Sequence, residues 1–274
     1  MHLLGSIPSP GSNAIHIGSL QLRAYGLMIA LGVLAAVKVA SDRFEKLGVG
    51  TADDMANIAT WAVPAGVIGA RAYHVITDWQ LFRDDPMRMF QIWEGGLGIP
   101  GGLLVGVAVG AWRAKVRTGG IAPALTAVTP AIPLAQAIAR VGNWWNQELF
   151  GRPTTLPWGL EIDPKYRPER YANETTFHPA FLYESLWNLA LFGFLLWFEK
   201  RVHLRPGRLF CIYLMGYSFA RFFIERIRID PANSIGGLRV NEWMSIIVFG
   251  AAAGFLVFDR RKHSGAETLD QLSL

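Results

Sequence analysis

The sequence predicts an all-α polytopic membrane protein with seven transmembrane helices and a small outer-face cap between helices 4 and 5. Hydrophobic residues make up 51% of the chain and charged residues only 17%, and mean hydropathy is +0.26. An ordinary soluble domain carries roughly 25% charged residues. The chain also contains a series of apolar runs, most of them about 20 residues long, which is the length that an α-helix needs to cross a bilayer.

The fourth apolar run is interrupted by Pro123, Pro130 and Pro133, so we expect a kinked helix whose freed carbonyls need hydrogen-bond donors. A polar stretch, 140–178, follows it. We expect 1–258 to form the transmembrane domain, with 140–178 inserted as an extracytoplasmic cap, and 259–274 to form a cytoplasmic tail. The seven predicted spans are, in order, about 19–40, 55–76, 97–113, 121–139, 179–198, 208–228 and 242–258.

Lysine and arginine cluster in alternate connections, which predicts the orientation of the chain. An outer N-terminus and a cytoplasmic C-terminus give every inner connection a basic cluster, and the start of the chain lacks the basic residues of a cleavable signal peptide. The inner clusters are Lys38, Arg43 and Lys46; Arg113, Lys115 and Arg117; and Lys200, Arg201, Arg205 and Arg208. The arginines left on the outer side are Arg71, Arg140, Arg152, Arg221, Arg228 and Arg239.

Several other features limit the classes of function. The net charge of +5 could indicate nucleic-acid binding, but the basic residues flank apolar runs, so we expect no nucleic acid. Cys211 is the only cysteine, which excludes an intramolecular disulfide and a cysteine cluster for a metal. Glycines recur every four residues in the third span and predict close packing against another helix. They are Gly98, Gly102, Gly106 and Gly110.

The stretch from Arg140 to Arg152 brings two arginines, a glutamate, two asparagines and a glutamine beside the membrane. Polar and ionisable groups at that depth are expensive and are functional candidates. The alternative is an interfacial anchor, in which tryptophan and arginine lie at the level of the lipid headgroups.

The sixth span predicts a second polar face, because Tyr217, Arg221, Glu225 and Arg228 are spaced by four, four and three residues. One interpretation is a structural Arg221–Glu225 ion pair. The other is an anionic phospholipid, because the outer side carries more arginine than acidic residues and a guanidinium can hold a phosphate through two hydrogen bonds.

Five motifs in order resemble the prolipoprotein diacylglyceryl transferase family of bacteria. They are Tyr25-Gly26-Leu27-Met28; Gly95-Gly96-Leu97 with Gly101-Gly102; Arg140 to Arg152 in the form R-x-G-N-x-x-N-x-E-x-x-G-R; His178-Pro179-x-x-Leu182-Tyr183-Glu184; and Arg221-Phe222-x-x-Glu225-x-x-Arg228.

The resemblance implies a seven-span enzyme of the bacterial plasma (inner) membrane whose site faces outward. Its substrates would be phosphatidylglycerol, a membrane lipid, and a preprolipoprotein signal peptide with a lipobox cysteine. The diacylglyceryl group would move to the thiol, giving a thioether and glycerol-1-phosphate, with no cofactor. Many relatives carry a histidine directly before the Gly-Gly of the third span, where this chain has Pro100, so the identity of any base stays open.

We expect the reaction to depend on two arginines, Arg140 and Arg221, that neutralise the phosphate. Asn143, Glu148 and Tyr25 would orient hydroxyls of the headgroup, and Gly151 would allow close approach of the backbone. Two other classes remain at this point: a transporter of an anionic small molecule or lipid, and a non-catalytic membrane scaffold. The other expected substrate-binding residues are Arg152, Arg228, Tyr217, Glu225 and His178.

Overall fold

The computed structural model describes residues 5–17, 20–92 and 95–271. The residue at which we expected the first span to begin, 19, and the last three residues of the expected tail lie outside this part of the chain. The described part is mostly helical, as expected. Its α-helices are α1 (Ala24–Lys46), α2 (Ala52–Thr77), α3 (Ile99–Thr118), α4 (Ile121–Val128), α5 (Ala131–Asn146), α6 (Ala180–Arg201), α7 (Arg208–Ile227) and α8 (Val240–Gln271).

Three short antiparallel hairpins accompany the helices. The six strands are β1 (Ala14–Ile17), β2 (Leu20–Arg23), β3 (Leu160–Glu161), β4 (Thr176–Phe177), β5 (Ser234–Ile235) and β6 (Leu238–Arg239), paired in sequence order. The chain divides into two compact units. Unit 1 comprises 1–36 and 129–274, and unit 2 comprises 37–128.

The apolar helices make this a multi-pass membrane protein. Four helices in the described part are long and apolar enough to cross a bilayer: α1, α3, α6 and the Val240–Arg261 part of α8. The pair α4 and α5 passes the same test as one broken span. The other two expected spans, α2 and α7, have 26 and 20 residues but do not pass it; α7 carries the polar face described above.

The fourth expected span is broken between α4 and α5, as its prolines predict. Pro130 has no N–H, so the carbonyl of Thr126 lacks its usual helical donor. Arg43 supplies one at 3.2 Å from Nη2, and its Nε donates to the carbonyl of Ala127 at 2.7 Å. Arg43 was expected to be a loop cation; it is buried and satisfies the carbonyls at the break.

The end of this span was placed wrongly. We expected the helix to stop at 139, but α5 continues to Asn146, so Arg140 lies inside the helix. No proline or glycine-rich turn interrupts the polar residues after Arg140, and the helix ends where Gln147 takes the left-handed conformation at φ 50°. The charged residues after 258 also stay helical, because α8 runs on to Gln271.

The glycine ridge of α3 packs against α2, within unit 2. A Cβ on Gly69 would lie 2.6 Å from the carbonyl oxygen of Gly101 and 2.6 Å from Cβ of Val105. A Cβ on Gly102 would lie 3.2 Å from the carbonyl oxygen of Gly66. These separations leave no room for side chains, so the expected close approach of a second helix is confirmed.

Residues 147–179 form a small module with its own apolar core in unit 1. The strands β3 and β4 pair Leu160 with Phe177, and Ile7 adds a parallel bridge to Leu160 from the N-terminal segment. Trp144 and Gln147 donate to the carbonyls of that same N-terminal segment. The buried core comprises Phe150, Leu160, Ile162, Phe177, Phe181 and Ile229.

We predict that Gly69→Ala lowers the thermal unfolding temperature of the purified protein. The new methyl group overlaps Gly101 and Val105, and overpacking of this kind costs about 1–3 kcal/mol. That corresponds to a decrease of roughly 2–4 °C for each kcal/mol. Gly193→Ala is the matched control, because a Cβ at this helical glycine meets nothing within 4 Å. Equal unfolding temperatures for the two variants would show that the α2–α3 contact is looser than described.

Candidate functional site

Two arginines from different helices converge on one carboxylate. Nη2 of Arg140 in α5 lies 2.9 Å from Oε1 of Glu184 in α6, and Nη1 of Arg221 in α7 lies 3.3 Å from the same oxygen. The Glu184 side chain is 5% exposed. The three helices pack in sequence order, α5 against α6 and α6 against α7. Because consecutive helices alternate in direction, the end of α5, the start of α6 and the end of α7 meet.

Glu225 pairs with Arg221, as one of the two interpretations of the sixth span had it: Nη2 of Arg221 lies 2.8 Å from Oε2 of Glu225. Glu225 is fully buried and has further partners on its other oxygen. Nε of Arg239 lies 3.1 Å from Oε1, and Nδ2 of Asn241 donates to that atom at 3.1 Å. Nη1 of Arg228 is more distant, at 3.8 Å from Oε2. Glu225 therefore connects several residues, and neutralising it would disturb Arg239 and Asn241 as well as Arg221.

Arg228 directs its guanidinium at Asp230. Nε and Nη2 of Arg228 donate to the two carboxylate oxygens at 2.7 and 2.9 Å, and Nη2 of Arg239 donates to Oδ2 of Asp230 at 3.1 Å. Burial raises the pKa of Asp230, but the hydrogen bonds and charge of Arg228, with the charge of Arg239, outweigh it and leave that pKa below its ordinary value. The acid thus stays ionised at neutral pH and holds both arginines in place.

The excess of positive charge is smaller than we expected from the sequence. Four arginines of the cluster face three carboxylates, a surplus of one. Within the described residues Glu184 is the one carboxylate that Arg140 pairs with, and the Arg140 side chain is 25% exposed. The hydroxyls of Tyr217 and Tyr25 are near its guanidinium. The cluster comprises Arg140, Arg221, Arg228, Arg239, Glu184, Glu225 and Asp230.

Arg71, also expected among the unexplained outer arginines, belongs to unit 2 and has a local role. Its Nε donates to the carbonyl of Met89 at 2.9 Å, and its Nη1 donates to the carbonyls of Gly95 and Gly96 at 2.6 and 3.0 Å. Nη2 donates to the carbonyl of Arg88. Arg71 therefore organises the connection between α2 and α3.

The end of α5 holds Glu148 through two amides. Nδ2 of Asn143 and Nδ2 of Asn146 both donate to Oε1 of Glu148, at 2.8 and 2.9 Å. Two non-glycine residues in the described chain have positive φ, and they flank this glutamate: Gln147 at 50° and Leu149 at 56°. Such strained residues persist where the surrounding structure holds them, and they cluster at functional sites.

Tyr25 lies against α5 because Gly142 has no side chain. A Cβ on Gly142 would lie 2.8 Å from Cδ2 of Tyr25 and 3.0 Å from its Cα. This contact brings Tyr25 into the electrostatic range of both Arg140 and Glu148. Gly142 stands inside the Arg140–Arg152 motif, but we did not expect it to be a site residue.

Gly151 is needed for packing within the protein, and its expected approach to a ligand stays a prediction. A Cβ there would lie 2.5 Å from Cγ2 of Ile227 and 2.9 Å from Cβ of His178. The backbone N–H of Gly151 donates to the carbonyl of His178, and that of Arg152 donates to the carbonyl of Ile227. Nη2 of Arg152 donates to the carbonyl of Arg226 at 2.6 Å. These bonds attach the inserted module to the end of α7.

His178 is part of a hydrogen-bonded trio at the start of α6. Nε1 of Trp158 donates to the hydroxyl of Tyr183 at 3.0 Å, and that hydroxyl lies 3.1 Å from Nδ1 of His178. Burial, followed by the positive charge of Arg152, lowers the pKa of His178. The neutral ring is therefore favoured, and in the tautomer that carries its proton on Nε2, Nδ1 accepts the proton of the tyrosine hydroxyl.

Cys211 lies in the first turn of α7, ten residues before Arg221, or about 15 Å away along the helix. It is half-buried. In the described residues no three His, Cys, Asp or Glu side chains come together in a way that could hold a metal ion.

Sequence reasoning named Glu184 in a motif and Arg239 among the outer arginines, but it did not predict either of them as a site residue. Glu184 stands in a quoted motif, and its signal is an acid near the start of an apolar helix with no basic residue on the adjacent turn. Such an acid needs a partner from another helix. Arg239 carries no comparable local signal, because its partners lie on α7 and on the connection that follows it.

Known proteins are similar to this chain over nearly its whole length. A family model described as prolipoprotein diacylglyceryl transferase matches residues 12–258. Phosphatidylglycerol–prolipoprotein diacylglyceryl transferase 2 of Streptomyces coelicolor is 46% identical over 98% of this chain and 86% of its own length. The transferases of Streptomyces griseus and Cutibacterium acnes are also 46% identical, over 97% and 96% of this chain and 81% and 90% of theirs. The chain therefore belongs to the prolipoprotein diacylglyceryl transferase family.

Proposed function

We propose that this protein transfers the diacylglyceryl group of phosphatidylglycerol to the thiol of a lipobox cysteine in preprolipoproteins. The relatives are named for phosphatidylglycerol and prolipoprotein as substrates. The observation that carries the proposal is the convergence of Arg140 and Arg221 on one oxygen of Glu184. Two guanidinium groups that share one oxygen can also share an oxygen of a phosphate diester.

The phosphate must be stabilised as it becomes a leaving group. The bond between glycerol carbon and phosphate oxygen breaks, and the negative charge on glycerol-1-phosphate increases. Arg140 and Arg221 are fixed before the substrate arrives, so they stabilise that charge without reorganising. Arg140 is the principal phosphate ligand, because Glu184 is its one carboxylate partner in the described chain, whereas Arg221 also holds Glu225.

Neighbouring residues would orient the lipid. The Oδ1 atom of Asn143 is buried and has no hydrogen-bond partner in the described part of the protein, so it can accept a hydrogen bond from a headgroup hydroxyl. Tyr25 and Tyr217 lie beside Arg140 and would contact the same headgroup. Arg228 and Glu225 support Arg221 through the network, and Arg152 and His178 hold the inserted module.

The same proposal includes seven spans in the bacterial plasma membrane, with α2 and α7 as the two more polar spans. The N-terminus and 140–178 would lie outside, and the tail, 259–274, in the cytoplasm. The basic clusters at the ends of α1 and α3 support this orientation. It places the arginine cluster toward the outer face, where a preprolipoprotein would meet it.

Two alternatives receive less support. A transporter of an anionic lipid or small molecule would need its charged groups near the middle of the membrane. Arg140 and Arg221 instead lie six residues, or about 9 Å, before the ends of α5 and α7, and Glu184 is the fifth residue of α6. A scaffold would not need arginines that converge. The relatives also carry the name of a transferase.

We predict that Arg140→Lys and Arg221→Lys each reduce diacylglyceryl transfer by about 100-fold. Lysine keeps the charge but loses the planar guanidinium, and one lost contact of this kind costs about 3 kcal/mol in the transition state. The assay uses purified protein, vesicles with labelled phosphatidylglycerol and a lipobox peptide.

Arg226→Lys is the matched control, because Arg226 lies on the same helix as Arg221 but its side chain is 54% exposed. It should transfer at nearly the normal rate. Near-normal transfer by Arg140→Lys would reject the phosphate site. No transfer by the unaltered protein would reject the function itself.

We also predict that reporters placed at two positions in the chain report from opposite sides of the membrane. A reporter fused after Leu274 should be active only in the cytoplasm, and one inserted near Pro164, in the module between α5 and α6, only outside. Basic residues at the inner ends of the spans give this result. Signals from the same side would contradict the seven-span arrangement.

A further inference from the structure

We propose that Glu148 is the general base that removes the proton of the substrate thiol. This inference rests on the proposed function, because it concerns the cysteine that attacks the lipid. A thiol of pKa about 8.5 is mostly protonated at neutral pH, and the thiolate is the nucleophile. A group near the arginines must therefore accept the proton.

The other carboxylates of the site are held by arginines. Each forms at least one ion pair of 3.1 Å or less with a guanidinium. Each of their oxygens already has a donor or an ion-pair partner in the protein, so none is left free for the proton of a substrate. These carboxylates are Glu184, Glu225 and Asp230 of the cluster and, beside it, Glu242 in the first turn of α8, which pairs with Arg226.

Glu148 differs because its partners are neutral. Both amide donors, from Asn143 and Asn146, reach Oε1. In the described part of the chain no basic side chain forms an ion pair with Glu148 and no hydrogen bond reaches Oε2. One oxygen is thus fixed by the protein, while the other is available to a substrate proton.

The backbone around Glu148 is built to hold this position. Gln147 and Leu149, on either side, have positive φ, a conformation that non-glycine residues rarely adopt. The Gln147 side chain is buried; its Nε2 donates to Oδ2 of Asp163 at 2.8 Å, and its Oε1 accepts from the backbone N–H of Asp163 at 2.8 Å. These bonds keep the turn that brings Glu148 back to the end of α5.

Glu148 is also close to the phosphate site. Its partner Asn143 lies three residues after Arg140 on α5, about one helical turn or 5 Å farther along the axis. Tyr25 interacts electrostatically with both Arg140 and Glu148. The base would therefore lie beside the group that holds the leaving phosphate.

His178 is less suited to the role. Its Nδ1 is hydrogen-bonded to the hydroxyl of Tyr183, which also accepts from Trp158; when Nδ1 is the acceptor, its lone pair is occupied. Its Nε2 then carries the remaining ring proton and is a donor. His178 would have to break this trio before it could accept a proton through Nδ1.

The step balances without any other reagent. The S–H bond breaks and its proton moves to Oε2 of Glu148. The sulfur electron pair forms the S–C bond to the glycerol carbon, and the C–O bond to the phosphate breaks with its electrons on oxygen. Glu148 then releases the proton to the departing phosphate or to water.

The test is transfer by Glu148→Gln as a function of pH. Glutamine keeps an oxygen for Asn143 and Asn146 but accepts no proton. We expect a decrease of about 10²–10⁴-fold in kcat at pH 7, with little change in KM for phosphatidylglycerol. The rate should then rise about tenfold for each pH unit up to about 8.5, as the free thiol ionises. A merely structural role predicts the same fractional loss at every pH.

A second substrate distinguishes loss of the base from loss of folding in the variant. A lipobox peptide with selenocysteine in place of cysteine needs no base at pH 7, because its selenol is already ionised. Glu148→Gln should use this peptide at a rate within about tenfold of the unaltered protein. Glu184→Gln is the matched carboxylate control, and neither high pH nor the selenol should rescue it.

A Glu148→Gln variant that stays equally inactive with both peptides would overturn the proposal, as would one with normal activity on the thiol at pH 7. In either case, transfer by the unaltered protein would leave the proposed function intact. Loss of transfer by the unaltered protein with both peptides would instead reject that function.

Discussion

The constraint on which the rest of the site depends is the cost of holding guanidinium groups at membrane depth. An unpaired charge there is unfavourable by at least about 3 kcal/mol. The carboxylate of Glu184 compensates the charges of Arg140 and Arg221, and that of Glu225 compensates those of Arg221 and Arg239. Among the four arginines and the three carboxylates that pair with them, one positive charge remains for an anionic ligand; Glu148, which forms no ion pair in the described residues, is outside this count. Breaking a buried pair from one side leaves the partner uncompensated, so the acids of the network matter as much as its arginines.

The helices determine where this network lies. Three consecutive helices, α5 to α7, alternate in direction and bring residues near their adjoining ends together. The inserted module then ties the end of α5 to the end of α7, because Gly151 and Arg152 pair with His178 and Ile227. The strained turn at Gln147 belongs to the same connection and presents Glu148 beside the arginines. Binding of the phosphate and activation of the thiol thus depend on one connected set of contacts.

Much of this was accessible from the sequence. Local hydropathy predicts the helices, and residue spacing predicts the Arg221–Glu225 pair and the glycine ridge of α3. Two features were not accessible. Polarity after Arg140 was interpreted as the end of a span, but polar residues do not by themselves end a helix, and this helix continues to Asn146. Glu184 lies 44 residues from Arg140 and 37 from Arg221 in the chain, and no local pattern specifies a contact over that separation.

A double-mutant cycle between Arg140→Lys and Arg221→Lys tests the central claim most directly. Single-turnover diacylglyceryl transfer would be measured for both single variants and the double variant, each with confirmed folding. If the two guanidiniums act on one phosphate, the effects are coupled by about 0.5–3 kcal/mol, and the double variant loses less than the product of the single losses. Losses that multiply, with no coupling beyond error, would contradict a shared phosphate site.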